Sequence, residues 1–137
     1  MNIAVFGTGY VGLVTGVCFS EMGHSITCID VDSKKIETLK KAQSPIYEPG
    51  LEAMLIQNIK AERLHFTTEA RASIEKAEIL FIAVGTPLHE DGSAEMKYVL
   101  QVAETIAEHM NGYKLIVTKS TVPVGTYRKL KTVIEQK

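Results

Sequence analysis

Apolar positions follow two alternating rhythms along the chain. Short, nearly unbroken apolar runs lie at 2–6, 25–30, 64–67, 79–84 and 115–119. Unbroken runs of this length predict strands covered on both faces, as in a parallel sheet. Between them the period lengthens to that of helices. Residues 10–22 are apolar almost all round, which predicts a helix packed between the sheet and a further layer. Ser33 is placed to N-cap a helix over 34–40. Leu51, Met54, Leu55 and Ile59 keep i, i+3, i+4, i+8 spacing after the turn Glu48-Pro49-Gly50. A shorter helix is expected over 68–76. Met96, Val99, Leu100, Ala103, Ile106, Ala107 and Met110 form the cleanest stripe, and a last helix over about 125–135 carries Tyr127, Leu130 and Ile134.

Strand and helix alternate throughout, so the fold class is α/β, a doubly wound parallel sheet with helices on both faces. Right-handed crossovers place about five strands in the order 3-2-1-4-5. No repeat or linker divides the sequence, so 1–137 is expected to be one domain. The chain stops on a helix where a six-stranded version would go on to a sixth strand. The expectation is therefore a domain truncated from a larger protein.

Composition narrows the partners. Fifteen basic residues against sixteen acidic give a net charge of −1, which offers no field for nucleic acid or an anionic membrane. No apolar stretch approaches the ~20 residues of a membrane span. Met1-Asn2-Ile3 runs straight into a strand, leaving no room for a signal peptide, so a cytoplasmic location is expected. Cys18 and Cys28 form no disulfide framework and are expected to be small buried hydrophobes. His24, His65, His89 and His109 share no ligand spacing, so no metal site is expected.

The chemistry lies in the glycines. Gly7-Thr8-Gly9-Tyr10-Val11-Gly12 follows the first strand and opens the first helix. In such a turn Gly7 permits the tight bend, Gly9 lets a pyrophosphate approach the backbone, and Gly12 lets helix and strand pack closely. The helix end then presents N–H groups and positive potential to the phosphates. Gly16 sits one turn after Gly12, and Gly23 is placed for a left-handed helix end. Asp30 closes the second strand, 18 residues after Gly12. An acid there accepts hydrogen bonds from the adenosine ribose and repels a 2′-phosphate, favouring NAD over NADP. Asp32, by contrast, reads as a helix start. Together these features describe a Rossmann-type dinucleotide site.

Two further loops leave carboxyl ends of strands, where ligands of open α/β sheets bind. They are Val84-Gly85-Thr86-Pro87 and Lys119-Ser120-Thr121-Val122-Pro123-Val124-Gly125-Thr126. Pro87 and Pro123 read as turn chemistry, while Thr86 and Thr121 are placed to touch a ligand.

The glycine turn, these two loops, Ser44-Pro45-Ile46-Tyr47-Glu48-Pro49-Gly50-Leu51 and Asp91-Gly92-Ser93-Ala94 together resemble the UDP-glucose/GDP-mannose dehydrogenases, and among them the bacterial UDP-glucose-oxidising members. The resemblance runs over the whole chain, in order. It implies oxidation of a nucleotide sugar's C6 alcohol to a carboxylate with two NAD⁺ per turnover, through a thioester on a cysteine. It also implies that Val11, Asp30, Lys35, Thr86 and Thr121 contact NAD. Gly7, Gly9, Tyr10, Gly12 and Gly85 join them as cofactor-binding candidates. Thr121 further resembles a threonine that helps hold the catalytic water or a substrate oxygen.

In the family the nucleophilic cysteine, its partners and the UDP-sugar pocket come later than residue 137. The chain alone is thus expected to bind NAD without turnover. The full-length enzyme is expected to be a homodimer, and the fragment to self-associate through its uncovered apolar face. A nucleotide sugar such as GDP-mannose or UDP-N-acetylmannosamine is the alternative substrate, and a stand-alone NAD-sensing module the alternative class.

Overall fold

A computed structural model of the chain describes residues 1–136. Five strands, β1 (Asn2–Phe6), β2 (Ser25–Ile29), β3 (Leu64–Thr67), β4 (Ile79–Ile82) and β5 (Leu115–Thr118), form one sheet in the order β3-β2-β1-β4-β5. Every pairing is parallel, as the unbroken apolar runs predict. Central β1 aligns Val5 with Cys28 on one side and Phe81 on the other.

Side chains alternate across the sheet and build two cores. Val5, Ile26 and Phe66 face α1 (Tyr10–Glu21), α2 (Ser33–Lys40) and α3 (Leu51–Lys60), which contribute Leu13, Val17, Leu39 and Leu55. Ala4, Phe6, Leu80 and Ile82 face α4 (Arg71–Lys76), α5 (Lys97–His109) and α6 (Thr126–Glu135), which contribute Ile74, Val99, Ala103, Ile106 and Leu130. Among the described residues no helix is long and apolar enough to cross a membrane.

Several expectations need correction. Asp32, not Ser33, caps α2: its backbone is extended and its carboxylate accepts from the N–H groups of Lys34 and Lys35, both at 3.1 Å. Ser33 is already the first helical residue. Cys18 is exposed rather than buried. It follows buried Val17 by one position, which rotates it ~100° around α1 and away from the sheet. Tyr10 and Val11 share that outward exposure, so α1 leaves one stripe to solvent while it packs against the sheet and α3, the further layer expected. The helix expected from residue 68 begins at Arg71, because the Thr67 hydroxyl accepts from the Glu69 N–H (3.0 Å) and sets a turn first.

Cys28 does behave as a buried hydrophobe, and burial pushes its thiol pKa up to about 12. Its sulfur fills the space beside Gly16, where an added Cβ would lie 2.6 Å from Sγ. Gly23 follows the end of α1 at φ +100°, the left-handed position expected of it.

Regular strand geometry stops at Ile29, Ile82 and Thr118, short of the ends expected at 30, 84 and 119. Ladder bonding nevertheless runs one residue further: Asp30 N–H reaches Thr67 O, Ala83 N–H reaches Phe6 O, and Lys119 N–H reaches Ile82 O. The loops that follow therefore start from fixed points on one edge of the sheet.

Candidate functional site

That edge carries a cleft of about 1040 Å³. Gly7, Gly9, Tyr10, Val11, Asp30, Lys35, Gly85, Thr86 and Thr121 all line it, so nine of the ten candidate cofactor residues meet in one place. Gly12 is the exception and lies beneath the turn. A Cβ added there would fall on the carbonyl of Gly7, which makes it a packing glycine.

The turn between β1 and α1 is held by backbone. Gly7 adopts φ +103°, a Cβ on it would meet Ala83 O at 2.5 Å, and its N–H donates to Ile29 O at 2.8 Å. Gly9 differs. At φ −72° it sets the N-cap of α1, and nothing lies within 4 Å of where its Cβ would stand. No side chain caps this helix and no acid occupies its first turn. Empty space above Gly9 and a bare helix N-terminus make a fitting cradle for a pyrophosphate.

Asp30 closes the neighbouring turn. Its Oδ2 accepts from the Thr8 N–H (2.9 Å) and the Thr8 hydroxyl (2.6 Å), and its Oδ1 from the Asp32 N–H (3.0 Å). Burial pushes the Asp30 carboxyl up. The hydrogen bonds from Thr8 and Asp32 together with the Lys35 charge outweigh it, so the pKa lies below the usual value. An ionised acceptor results, with Lys35 beside it on the cleft wall.

The opposite wall joins the loops after β4 and β5. Ser120 bridges them: its hydroxyl donates to Val84 O at 2.8 Å, and its N–H to Ile82 O at 3.1 Å. Thr86 stands half-buried on the first loop and Thr121 exposed on the second. At the rim, the Tyr10 hydroxyl donates to Glu48 Oε2 (2.7 Å). This bond and the nearby carboxylate charge raise the Tyr10 pKa above its ordinary value. The Pro-Ile-Tyr-Glu-Pro-Gly segment thus reaches the glycine turn.

Several lining residues escape sequence reasoning. Tyr98, Gln101, Val102 and Thr105 form a wall from α5, and Val31 contributes from a loop. A right-handed crossover from β4 to β5 carries α5 past this edge, and positions 98, 101, 102 and 105 share one face. That spacing is the signal that could have found them. Among the described residues no three His, Cys, Asp or Glu side chains group as metal ligands.

Comparison with known proteins gives a consistent set of likenesses. The sequence pattern of the UDP-glucose/GDP-mannose dehydrogenase family, NAD binding domain, matches residues 1–137. The UDP-glucose 6-dehydrogenase TuaD of Bacillus subtilis (strain 168) is 49% identical over 135 residues, 98% of this chain and 29% of that protein. The UDP-glucose 6-dehydrogenase of Rhizobium meliloti (strain 1021) is 45% identical over 137 residues, 99% of this chain and 31% of that protein. Among solved structures, a ternary complex of GDP-mannose dehydrogenase from Pseudomonas aeruginosa superposes with a TM-score of 0.94 at 36% identity, covering 99% of this chain and 32% of that one. The chain thus spans under a third of the length of these relatives.

Proposed function

The chain belongs to the UDP-glucose/GDP-mannose dehydrogenase family, as its NAD-binding domain, and on that premise we propose that it is the cofactor-holding part of a UDP-glucose 6-dehydrogenase. One observation carries the assignment of residues: a single cleft gathers the glycine turn, the Asp30 carboxylate and the two threonine-bearing loops. Gly9 and the α1 N-terminus hold the pyrophosphate, Asp30 accepts from the adenosine ribose, and Lys35 adds positive charge beside the phosphates. Tyr10, Val11, Gly85 and Thr86 border the other half of the dinucleotide. NAD bound there supplies the hydride acceptor. Thr121, exposed at the same edge, takes the supporting role of orienting a water or substrate oxygen.

The rest of the chemistry belongs to sequence beyond this domain. Exposed Cys18 stands on the outer face of α1 and Cys28 is sealed in the core, so neither supplies the thiolate of a covalent step. UDP-glucose is the substrate in this reading, supported by the two UDP-glucose 6-dehydrogenases at 49% and 45% identity. The whole enzyme is a cytoplasmic homodimer in this reading. Its remainder would cover the β5 edge, where Leu115 is 48% exposed. Left open, that edge drives self-association of the chain alone.

Titration of the chain with NAD and with UDP-glucose tests the assignment. NAD should bind in the micromolar-to-millimolar range, and adding UDP-glucose should give no NADH absorbance. Absence of NAD binding would sink the reading, and NADH formation would overturn the division of labour.

A further inference from the structure

We propose that Thr8 is a positioning residue for cofactor recognition, fixing the Asp30 carboxylate so that Oδ1 alone is left to take a hydroxyl of the adenosine ribose. The inference rests on the reading of Asp30 as the ribose-binding acid.

Thr8 occupies the first variable position of the glycine turn and is only 1% exposed. Its N–H and its hydroxyl both donate to one atom, Asp30 Oδ2, at 2.9 and 2.6 Å. A carboxylate offers about four acceptor positions, two on each oxygen. Oδ2 is thus saturated from behind by the glycine turn. Oδ1 gives one position to the Asp32 N–H (3.0 Å) and keeps one for a ligand. Asp30 borders the cleft at a strand end, where an unbraced side chain would sample several rotamers. The Thr8 pair spans 22 residues of sequence and removes that freedom. Both donors also favour the ionised acid, in line with its lowered pKa.

Two consequences follow. The carboxylate meets the ribose as a pure acceptor of fixed direction, engaging one hydroxyl rather than chelating the diol. Loss of the Thr8 hydroxyl weakens NAD through that hydroxyl alone.

The test pairs variants with trimmed ligands. Thr8→Val keeps shape and N–H but removes the hydroxyl; Thr8→Ala serves the same purpose if valine crowds the site, and Thr8→Ser restores the donor. Calorimetric titration with NAD and with its 2′-deoxyadenosine and 3′-deoxyadenosine analogues gives a cycle between protein and ligand. Thr8→Val should weaken NAD roughly 5- to 10-fold, and Thr8→Ser should stay within about 2-fold of the parent. Against the analogue lacking the hydroxyl that Asp30 takes, the penalty should fall to about 2-fold or less. The loss of NAD binding on acidification should also begin at higher pH in Thr8→Val. Equal penalties for NAD and both analogues would mean that Thr8 merely supports the turn, and overturn the inference. Asp30→Asn separates the two failures. If it weakens NAD while Thr8→Val does not, only the role of Thr8 falls; if it leaves NAD unchanged, the reading of Asp30 falls and takes this inference with it.

Discussion

The two walls of the cleft are built in opposite ways. On the β1–β2 side, backbone meets backbone: Gly7 and Gly12 admit no Cβ, and the Thr8–Asp30 pair ties one turn to the next. On the β4–β5 side, Ser120 joins two loops at their roots while Thr86 and Thr121 extend from them, and Val124 beyond is fully exposed. The first wall is preorganised by close backbone contacts and a part-buried hydrogen-bonded pair. The second fixes only where its loops begin. A rigid wall suits the invariant part of a ligand, the phosphates and adenosine of a dinucleotide, and a looser one suits the end where a second reactant must enter.

Substitutions on the rigid wall should have the largest effects. Gly12→Ala forces the turn apart, because the obstacle is the Gly7 carbonyl rather than a movable side chain. We expect a loss of about 3 kcal/mol in urea unfolding together with loss of NAD binding. A variant unfolding like the parent would show that the wall yields.

Gly9→Ala sharpens the contrast within the same turn. With nothing within 4 Å of the new methyl, folding stability should stay within about 0.5 kcal/mol of the parent. The methyl would instead take pyrophosphate space, weakening NAD roughly 10-fold or more by fluorescence titration. Unchanged affinity would remove the cradle from the rigid wall.

Asp30 should give this wall a pH signature. Its folded pKa is lowered, so its contribution to stability is present above the ordinary carboxylate range and is lost as pH falls through the folded value. Urea midpoints should therefore drop between about pH 5 and 3 more steeply in the parent than in Asp30→Asn. Parallel curves would mean that the Thr8 bonds do not favour the charged acid.

Thr121→Ala on the loose wall should change unfolding by less than about 0.5 kcal/mol, since the side chain is exposed. NAD should weaken by no more than about 3-fold, below the loss of a buried hydrogen bond. A large stability loss would show that the β5 loop is as rigid as the glycine turn.

What the sequence conveys divides along the same line. Features repeated along the chain are legible: unbroken apolar runs give a parallel sheet, and glycine spacing with Asp30 locates the rigid wall. Features that depend on one side chain's direction are not. Asp32 reads as a helix start and Ser33 as the cap, and only the extended backbone at Asp32 shows which of them caps α2. Cys18 and Cys28 look alike in composition, yet one step along α1 from buried Val17 leaves Cys18 exposed, while β2 carries Cys28 into the core. Tyr98, Gln101 and Thr105 lie off the apolar stripe of α5, and it is the crossover that places them over the cleft. Thr8 sits where the glycine pattern tolerates any residue, so nothing local marks its bond to Asp30.

The contact between Gly16 and Cys28 sets a rule for how this sequence can drift. The missing side chain on α1 and the thiol on β2 occupy one shared volume, with 2.6 Å between Sγ and an added Cβ. A methyl gained at residue 16 needs bulk surrendered at residue 28, so the two positions are expected to change as a pair. Lineages that grow a side chain on the helix would carry glycine or alanine on the strand, and the cleft above, which depends on how closely α1 lies on the sheet, would inherit whichever solution came first.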